Sequence, residues 1–474
     1  MTASIARVGH ALRVGPRAAW LIAACGLVGV AGATALATRQ GMLAILLGLA
    51  ILGVCTLVGL RWPILSLALF AALIPIEEFV VLEGLGTISR FAGILFAVTY
   101  ALPRLGHLKL GAMPPAAWAY LAWAVVSIGW ALDAGTAWGK IMTLLQLFLV
   151  AFLVADFVIH KPAIVRSVLW VYSLSAAATA LIGIQIFATA GMRASVLEGQ
   201  NPEHFAAALT PALLFGIHEA VNGNRRILGA AIALVTTTAV IVSGTRGAWL
   251  ALMVVVILFM LPQLSPKRRV AMAGLAILLA ALAYQVPGVA ELIDERVGTA
   301  VSTGGGGRTD IWSVAGTIYQ SSPVLGVGYA NFPVAYTPEI VRASDVASWS
   351  KLEGRGAHNV AILTLVELGP IGLLLLVAFL GPLVLRRGWG PEAVAVQAAL
   401  AALLVQALFV DMFSNRKPVW LVLALAVGLA YIAKRNGAAV DDRRRDAAAE
   451  DAARVGRVAL GRSPGGPQAS PPLS

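Results

Sequence analysis

Residues Gly354 to Arg387 read GRGAHNVAILTLVELGPIGLLLLVAFLGPLVLRR. The stretch opens polar, sets His358 and Asn359 at the first turn of an apolar run, and stays apolar until Arg386 and Arg387. As a helix, such a run is long enough to cross roughly 30 Å of hydrocarbon, which puts an imidazole at the lip of a membrane span. What that imidazole can do depends on which side of the membrane the lip faces.

The rest of the 474-residue chain is of the same kind: 59% hydrophobic and only 12% charged, with a mean hydropathy of +0.85. So few charges cannot solvate a soluble protein of this size. Apolar runs recur near 18–38, 42–60, 63–76, 88–103, 115–132, 140–159, 164–190, 204–221, 226–243, 246–262, 268–287, 358–385, 391–412 and 417–433. The expected fold is all-α, a polytopic membrane protein with roughly 12–14 transmembrane helices. The count depends on whether the short runs 63–76 and 88–103, punctuated by Pro75 and Pro103, form a tilted or a re-entrant pair. The net charge of +12 fits basic residues flanking membrane helices, so no nucleic-acid partner is expected. Cys25 and Cys55 both lie in apolar runs and indicate neither a disulfide framework nor a metal site. Arg7, Arg13 and Arg17 ahead of a run ending GATALATRQ imitate a signal peptide. The second run follows almost at once, which favours a retained helix.

Lys and Arg counts assign the sides. With the N-terminus inside, the short inner loops hold twelve, among them Arg61, Arg104, Lys161, Arg225 and Arg386, against seven in the outer segments. Both termini are therefore expected to be cytoplasmic. The expected organisation is an N-terminal tail over 1–17, a transmembrane bundle over 18–287, a long outer loop over 288–357, further transmembrane helices over 358–433 and a disordered cytoplasmic tail over 434–474. The loop carries STGGGGRTDIW, WSVAGTIYQ and GYANFPVAY, a pattern of short amphipathic helices lying over the bundle and joined by glycines. Long ordered loops tend to be functional. On this topology Arg246 and His358 face outward.

Within IVSGTRGAWLALMVV (Ile241–Val255), glycines bracket Arg246, and Ser243 or Thr245 can cap the helix that follows. A helix N-terminus and a guanidinium aimed at one spot suit an anionic phosphate; taken in isolation, Arg246 reads more readily as an arginine snorkelling to headgroups. Arg308, ahead of TDIW, could reach the same anion or simply be solvated, and Arg296, Arg342 and Arg355 are weaker candidates in the same loop. His358, half out of lipid, can take a proton or serve as a plain interface residue. Asp411, in ALFVDMFSN, could orient the histidine or an arginine. Glu367 lies nine residues past His358, about 13 Å deeper and on the opposite helix face, so a structural hydrogen bond to a neighbouring helix is expected. Gly369 and Gly372 are expected to allow close helix packing. Glu77, Glu78 and Glu83 line either a substrate route or the outer interface. The outer segments hold no Asp-x-Asp pair, no HExxH and no metal-spaced His/Cys cluster. Any diphosphate bound there must be neutralised by arginines and helix dipoles, with no metal or other cofactor.

Four motifs in order then carry a resemblance: SGTRGAWLAL, GRTDIW, GVGYANF, and His358-Asn359 followed after nine residues by Gly369-Pro-Ile-Gly372. With GQNPEHFAAAL (Gly199–Leu209), they resemble the bacterial O-antigen ligase/O-antigen polymerase family over about residues 195–385. The resemblance implies a helical fold related to the C-type membrane glycosyltransferases. It also implies metal-independent, inverting transfer at the outer face of the bacterial cytoplasmic (inner) membrane. The implied donor is a glycan on undecaprenyl diphosphate, and the acceptor is a sugar hydroxyl on lipid A-core or on another lipid-linked unit. Membrane lipid and a chain-length regulator are further implied partners. By motif, His358 is the implied catalytic residue and Arg246 and Arg308 the diphosphate-binding ones, with Asn359, Asp411 and Asn201 as supporting candidates. Two other readings stay open: a protein O-oligosaccharyltransferase, and a solute transporter such as a bicarbonate carrier. A transporter is expected to place its ionisable residues near the bilayer midplane.

Overall fold

A computed structural model describes residues 53–77, 81–82, 86–191, 193–195, 201–263, 288–302, 308–344, 355–385 and 391–437, with a few single positions between 265 and 285. The expected tail over 1–17, the first apolar run, most of the second and of 268–287, Glu78, Glu83 and the glycine run before Arg308 lie outside the described residues.

The described chain is helical apart from a two-residue antiparallel pairing of β1 (Val81–Leu82) with β2 (Gly86–Thr87). Helices α1 (Gly53–Arg61) and α2 (Pro63–Leu73) meet at 119°. Trp62, at φ −136° and ψ 78°, forms the corner, because proline disfavours helical geometry in the residue before it. Then come α3 (Ile88–Ala101), α4 (Pro115–Val126), α5 (Ala134–His160), α6 (Ile164–Ala190), α7 (Pro202–Asn222), α8 (Arg226–Val242) and α9 (Arg246–Val255), which ends in a π turn at Val256–Met260. The loop region supplies α10 (Val289–Ser302), α11 (Arg308–Ser321), α12 (Phe332–Ala335) and α13 (Pro338–Ala343). The chain closes with α14 (Val360–Leu385), α15 (Pro391–Gln406) and α16 (Lys417–Gly437).

The protein is an all-α polytopic membrane protein. Among the described residues, α5, α6, α7, α14 and α16 are each long and apolar enough to cross a membrane, and α1 with α2 makes one further, broken candidate. Expected runs 226–243, 246–262 and 391–412 contain shorter apolar helices. The short runs 63–76 and 88–103 form α2 and α3, which pack against each other as a pair, and a separate sharp bend lies at Trp62, at the boundary of the second and third runs. The last helix continues through Gly437, past the expected start of the tail at 434. Helices α7 and α8 cross where Gly216 and Gly229 bring backbone against backbone, a Cβ on Gly216 standing 2.9 Å from the Gly229 carbonyl oxygen; small residues permit this approach where lipid supplies no hydrophobic drive.

The loop helices form a second, smaller core over α14, built from Ile311, Val314, Ile318, Phe332, Tyr336 and Val366. Its seat explains Gly369. That residue takes φ +69° and ψ −175° and breaks α14, and Pro370 has no N–H for the Val366 carbonyl. The carbonyls so freed are recruited elsewhere: Val327 N–H binds Val366 O at 3.0 Å, Gly328 N–H binds Glu367 O at 2.9 Å, and Trp123 Nε1–H binds Leu368 O at 2.9 Å. The Glu367 carboxylate accepts from Phe332 N–H at 3.1 Å. Glu367 thus makes the expected structural hydrogen bond, to the first residue of α12, while the expectation for Gly369 is corrected: it breaks its helix to admit the loop rather than packing helix on helix.

A side chain at Gly369 would meet the Val324 carbonyl and sit at a positive φ. Gly369→Ala is expected to destabilise the protein by about 1–3 kcal/mol from the backbone conformation alone, read as a lower thermal unfolding midpoint in detergent. Gly381→Ala, at a position with nothing within 4 Å, should leave the midpoint unchanged or raise it slightly.

Candidate functional site

Several helix ends converge at the His358 end of the bundle, and asparagines set two of them. Asn201 caps α7 by accepting from Glu203 N–H at 2.8 Å, with Pro202 at the first helical position, where its missing N–H costs nothing. Asn359 caps α14, accepting from Ala361 N–H at 2.9 Å and Ile362 N–H at 3.0 Å. His358 is therefore held one residue outside the helix, at φ +50°, a region uncommon for residues with a side chain. Both supporting asparagines thus act as caps and position their neighbours. The cap expected of Ser243 or Thr245 on α9 does not form. Ser243 Oγ donates to Thr245 Oγ1 at 3.0 Å, and Thr245 Oγ1 donates to Pro202 O at 3.1 Å. That hydroxyl ties the start of α9 to the start of α7 instead.

These ends bring together the residues singled out from the sequence. Arg308, the first residue of α11, binds Glu203 Oε1 through Nη2 at 2.8 Å, and its guanidinium carbon lies 6.0 Å from the Phe409 ring centroid. Arg246 Nη1 donates to the Arg296 carbonyl at 3.0 Å, and Arg308 and Arg296 are the cations whose fields it feels most. Asp411, in the turn between α15 and α16, takes a hydrogen bond from the His358 backbone and lies in the field of the His358 imidazole, Glu203 and Arg308. His204 pairs with Arg416 and senses the His358 charge. Burial pushes the Asp411 carboxyl above the usual aspartate range, against the opposing pull of His358 and Arg308. His358 Nδ1 and Asp411 Oδ1 are both buried with no hydrogen-bond partner. Unpaired buried polar atoms are costly and concentrate where a ligand or a proton is handled.

Arg296 joins the cluster. Arg342 does not: it folds back on Glu339 at 3.1 Å and is exposed. Glu77 is buried and accepts from Ser89 Oγ at 2.7 Å and Lys417 Nζ at 2.5 Å. Sequence reasoning passed over Glu203, His204 and Arg416. The signal for the first two was the pair of titratable residues directly after Asn201-Pro202; Arg416 carried none beyond its outer-loop charge. Beside Lys417, an apolar cavity of about 110 Å³ runs past Phe70, Ile94, Leu147 and Trp420, with Arg90 and Asn415 also in its wall. Among the described residues, no group of three His, Cys, Asp or Glu side chains is placed to hold a metal ion.

Two outcomes test this geometry. Asn359→Ala should cost about 1 kcal/mol of stability while Asn359→Asp, which still caps, costs much less, as read by thermal unfolding. For Asp411, the raised folded pKa means that the native state keeps a proton the unfolded chain releases. Its contribution to stability is full at low pH and falls as pH climbs from the ordinary aspartate range, about 4, through the folded value. Asp411→Asn should accordingly gain on the parent in thermal stability as pH rises from about 4 to 7; equal curves at every pH would contradict the burial.

Residues 231–377 match the family model described as O-antigen ligase. The matched stretch contains Arg246, Arg308 and His358, together with the α14 break. A comparison with curated proteins gives no match. The family implies a glycosyltransferase-type enzyme that works in a membrane on a lipid-linked glycan donor and a glycan acceptor. The match covers 147 of the 474 residues and, with the apolar helices, supports assigning the chain to the O-antigen ligase/polymerase family of membrane glycan transferases.

Proposed function

We propose that the protein moves an oligo- or polysaccharide from undecaprenyl diphosphate onto a sugar hydroxyl at the outer face of a bacterial cytoplasmic membrane, without a metal ion. The observation that carries this reading is the meeting of Arg246, Arg308, Asp411 and His358 at one end of the bundle. An acceptor O–H attacks the anomeric carbon as the carbon–oxygen bond to the diphosphate breaks. His358 takes the hydroxyl proton, and the departing diphosphate, which gains negative charge, lies against Arg246 and Arg308. Asp411, bonded to the backbone of His358 and close in charge to its ring, favours the protonated imidazole that the transfer creates. The diphosphate competes with Glu203 for Arg308. The apolar cavity beside Lys417 can accommodate a length of polyprenyl or acyl chain, so a tethered substrate approaches from within the bilayer. The outward orientation rests on the Lys and Arg bias, which also puts both termini in the cytoplasm.

A polar cluster gathered at one end supports transfer rather than transport, because a carrier's ionisable residues belong near the midplane. In proteoliposomes supplied with lipid-linked glycan and acceptor, the parent should consume donor in the presence of a chelator. His358→Ala should lower turnover by about a hundredfold or more without changing membrane insertion. Arg246→Lys should also be severe, since an ammonium cannot fork two phosphate oxygens. A His358→Ala variant as active as the parent would end the general-base assignment.

A further inference from the structure

One half-buried histidine at this end of the bundle has no part in the assignments above. His204 follows Glu203 in the first turn of α7, and Arg416, the residue before α16, bonds its Nδ1 through Nη2. A guanidinium only donates, so Nδ1 is the acceptor, the ring is neutral and its proton sits on Nε2. The Nε2–H donates to the Asp411 backbone carbonyl. Both ring nitrogens are thereby engaged, and His204 is no second base for the acceptor hydroxyl.

The bond matters because of where Asp411 lies. No helix passes through it. The chain leaves α15 in a turn closed by Val410 N–H on Gln406 O at 3.1 Å, and the next turn opens at Met412, whose carbonyl accepts from Arg416 N–H at 3.0 Å. The start of this segment is tied to its neighbours: Gln406 Nε2–H reaches Thr210 Oγ1 on α7 at 2.8 Å, and Val360 N–H on α14 reaches Ala407 O at 2.8 Å. Asp411 stands between the two turns, and its carboxylate takes a hydrogen bond from the His358 backbone. That carboxylate lies so close over Gly356 that a Cβ there would collide with Oδ2. The segment before α14 thus meets the Asp411 side chain, while His204 holds the Asp411 backbone. The attraction between a carboxylate and an imidazolium falls with distance, so a turn that slackens removes Asp411 from His358.

Resting on the glycan-transfer reading, we infer that His204, its tautomer fixed by Arg416, is a positioning residue that holds the Asp411 turn so that the carboxylate stays beside His358 during transfer. His204 neither gains nor loses a proton in the step. The proton passes from the acceptor oxygen to His358, and Asp411 offsets the positive charge that results.

The test measures donor consumption by the full-length protein in proteoliposomes supplied with lipid-linked glycan and acceptor. His204→Ala should lower kcat about tenfold, roughly the worth of one hydrogen bond at the barrier, with KM for donor and acceptor within about twofold of the parent. His204→Gln, which keeps an N–H for the Asp411 carbonyl, should recover most of the lost rate. A double-variant cycle separates this role from general structural support. His204→Ala added to Asp411→Asn should cost less than about twofold beyond Asp411→Asn alone, because residues that act as one unit are not additive. Arg416→Met, which removes the donor to Nδ1, should show the same pattern and provides the reading if His204→Ala does not fold. Losses that multiply in the double variant, or a His204→Ala variant with the parent's kcat, overturn the inference and leave the transfer proposal standing. A parent that consumes no donor removes both.

Discussion

The constraint that orders this protein is the cost of keeping charge at the end of an apolar bundle. A guanidinium or a carboxylate taken from water must find a partner close by, and three of those at the His358 end do so across elements far apart in sequence. Arg308 in the loop finds Glu203 on α7, Arg246 on α9 finds a carbonyl of α10, and Asp411 finds the backbone of His358. These links hold helix ends and loop helices in register with one another. The groups left over, His358 Nδ1, Asp411 Oδ1 and Arg296 Nε, lie in the same small region, which is where an anion and a proton can be exchanged.

A second constraint keeps the loop in place. Wherever a membrane helix is interrupted, its freed carbonyls need donors that lipid does not provide. The break at Gly369 frees carbonyls at Val366, Glu367 and Leu368, and the loop segment at Val327–Gly328 and the indole of Trp123 bond them. The loop that carries Arg308 is thus anchored to the helix that begins beside His358. Its small core against Val366 fixes the distance between the two. A break deep in α14 in this way holds the Arg308 loop beside the start of the same helix, and the same dependence makes Glu367 a buried anchor for Phe332 rather than a member of the candidate site.

Much of this was legible in the sequence, and the reasons are physical. Apolar run length announced membrane helices because the bilayer sets a minimum span, and the Gly-bracketed Arg246, the loop arginine Arg308 and the lip residue His358 stood out because charge is rare in such a chain. The loop's amphipathic helices were visible in the alternation of glycines with aromatic patches. The cap of α9 was misread because hydroxyls at Ser243 and Thr245 have several possible acceptors, and only the fold brings Pro202 O within reach. Gly369 looked like a packing residue because a glycine followed by proline does not say whether a helix bends around a neighbour or opens to a loop.

The measurement that bears most directly on the account is an experimental structure of the protein with a non-cleavable polyprenyl diphosphonate bound. The account predicts phosphorus density against Arg246 and Arg308, the Arg308–Glu203 pair opened, and the prenyl chain leaving toward the lipid-facing side of the bundle. Headgroup density at the opposite end of the helices, or density that leaves Arg246 and Arg308 untouched, would contradict it.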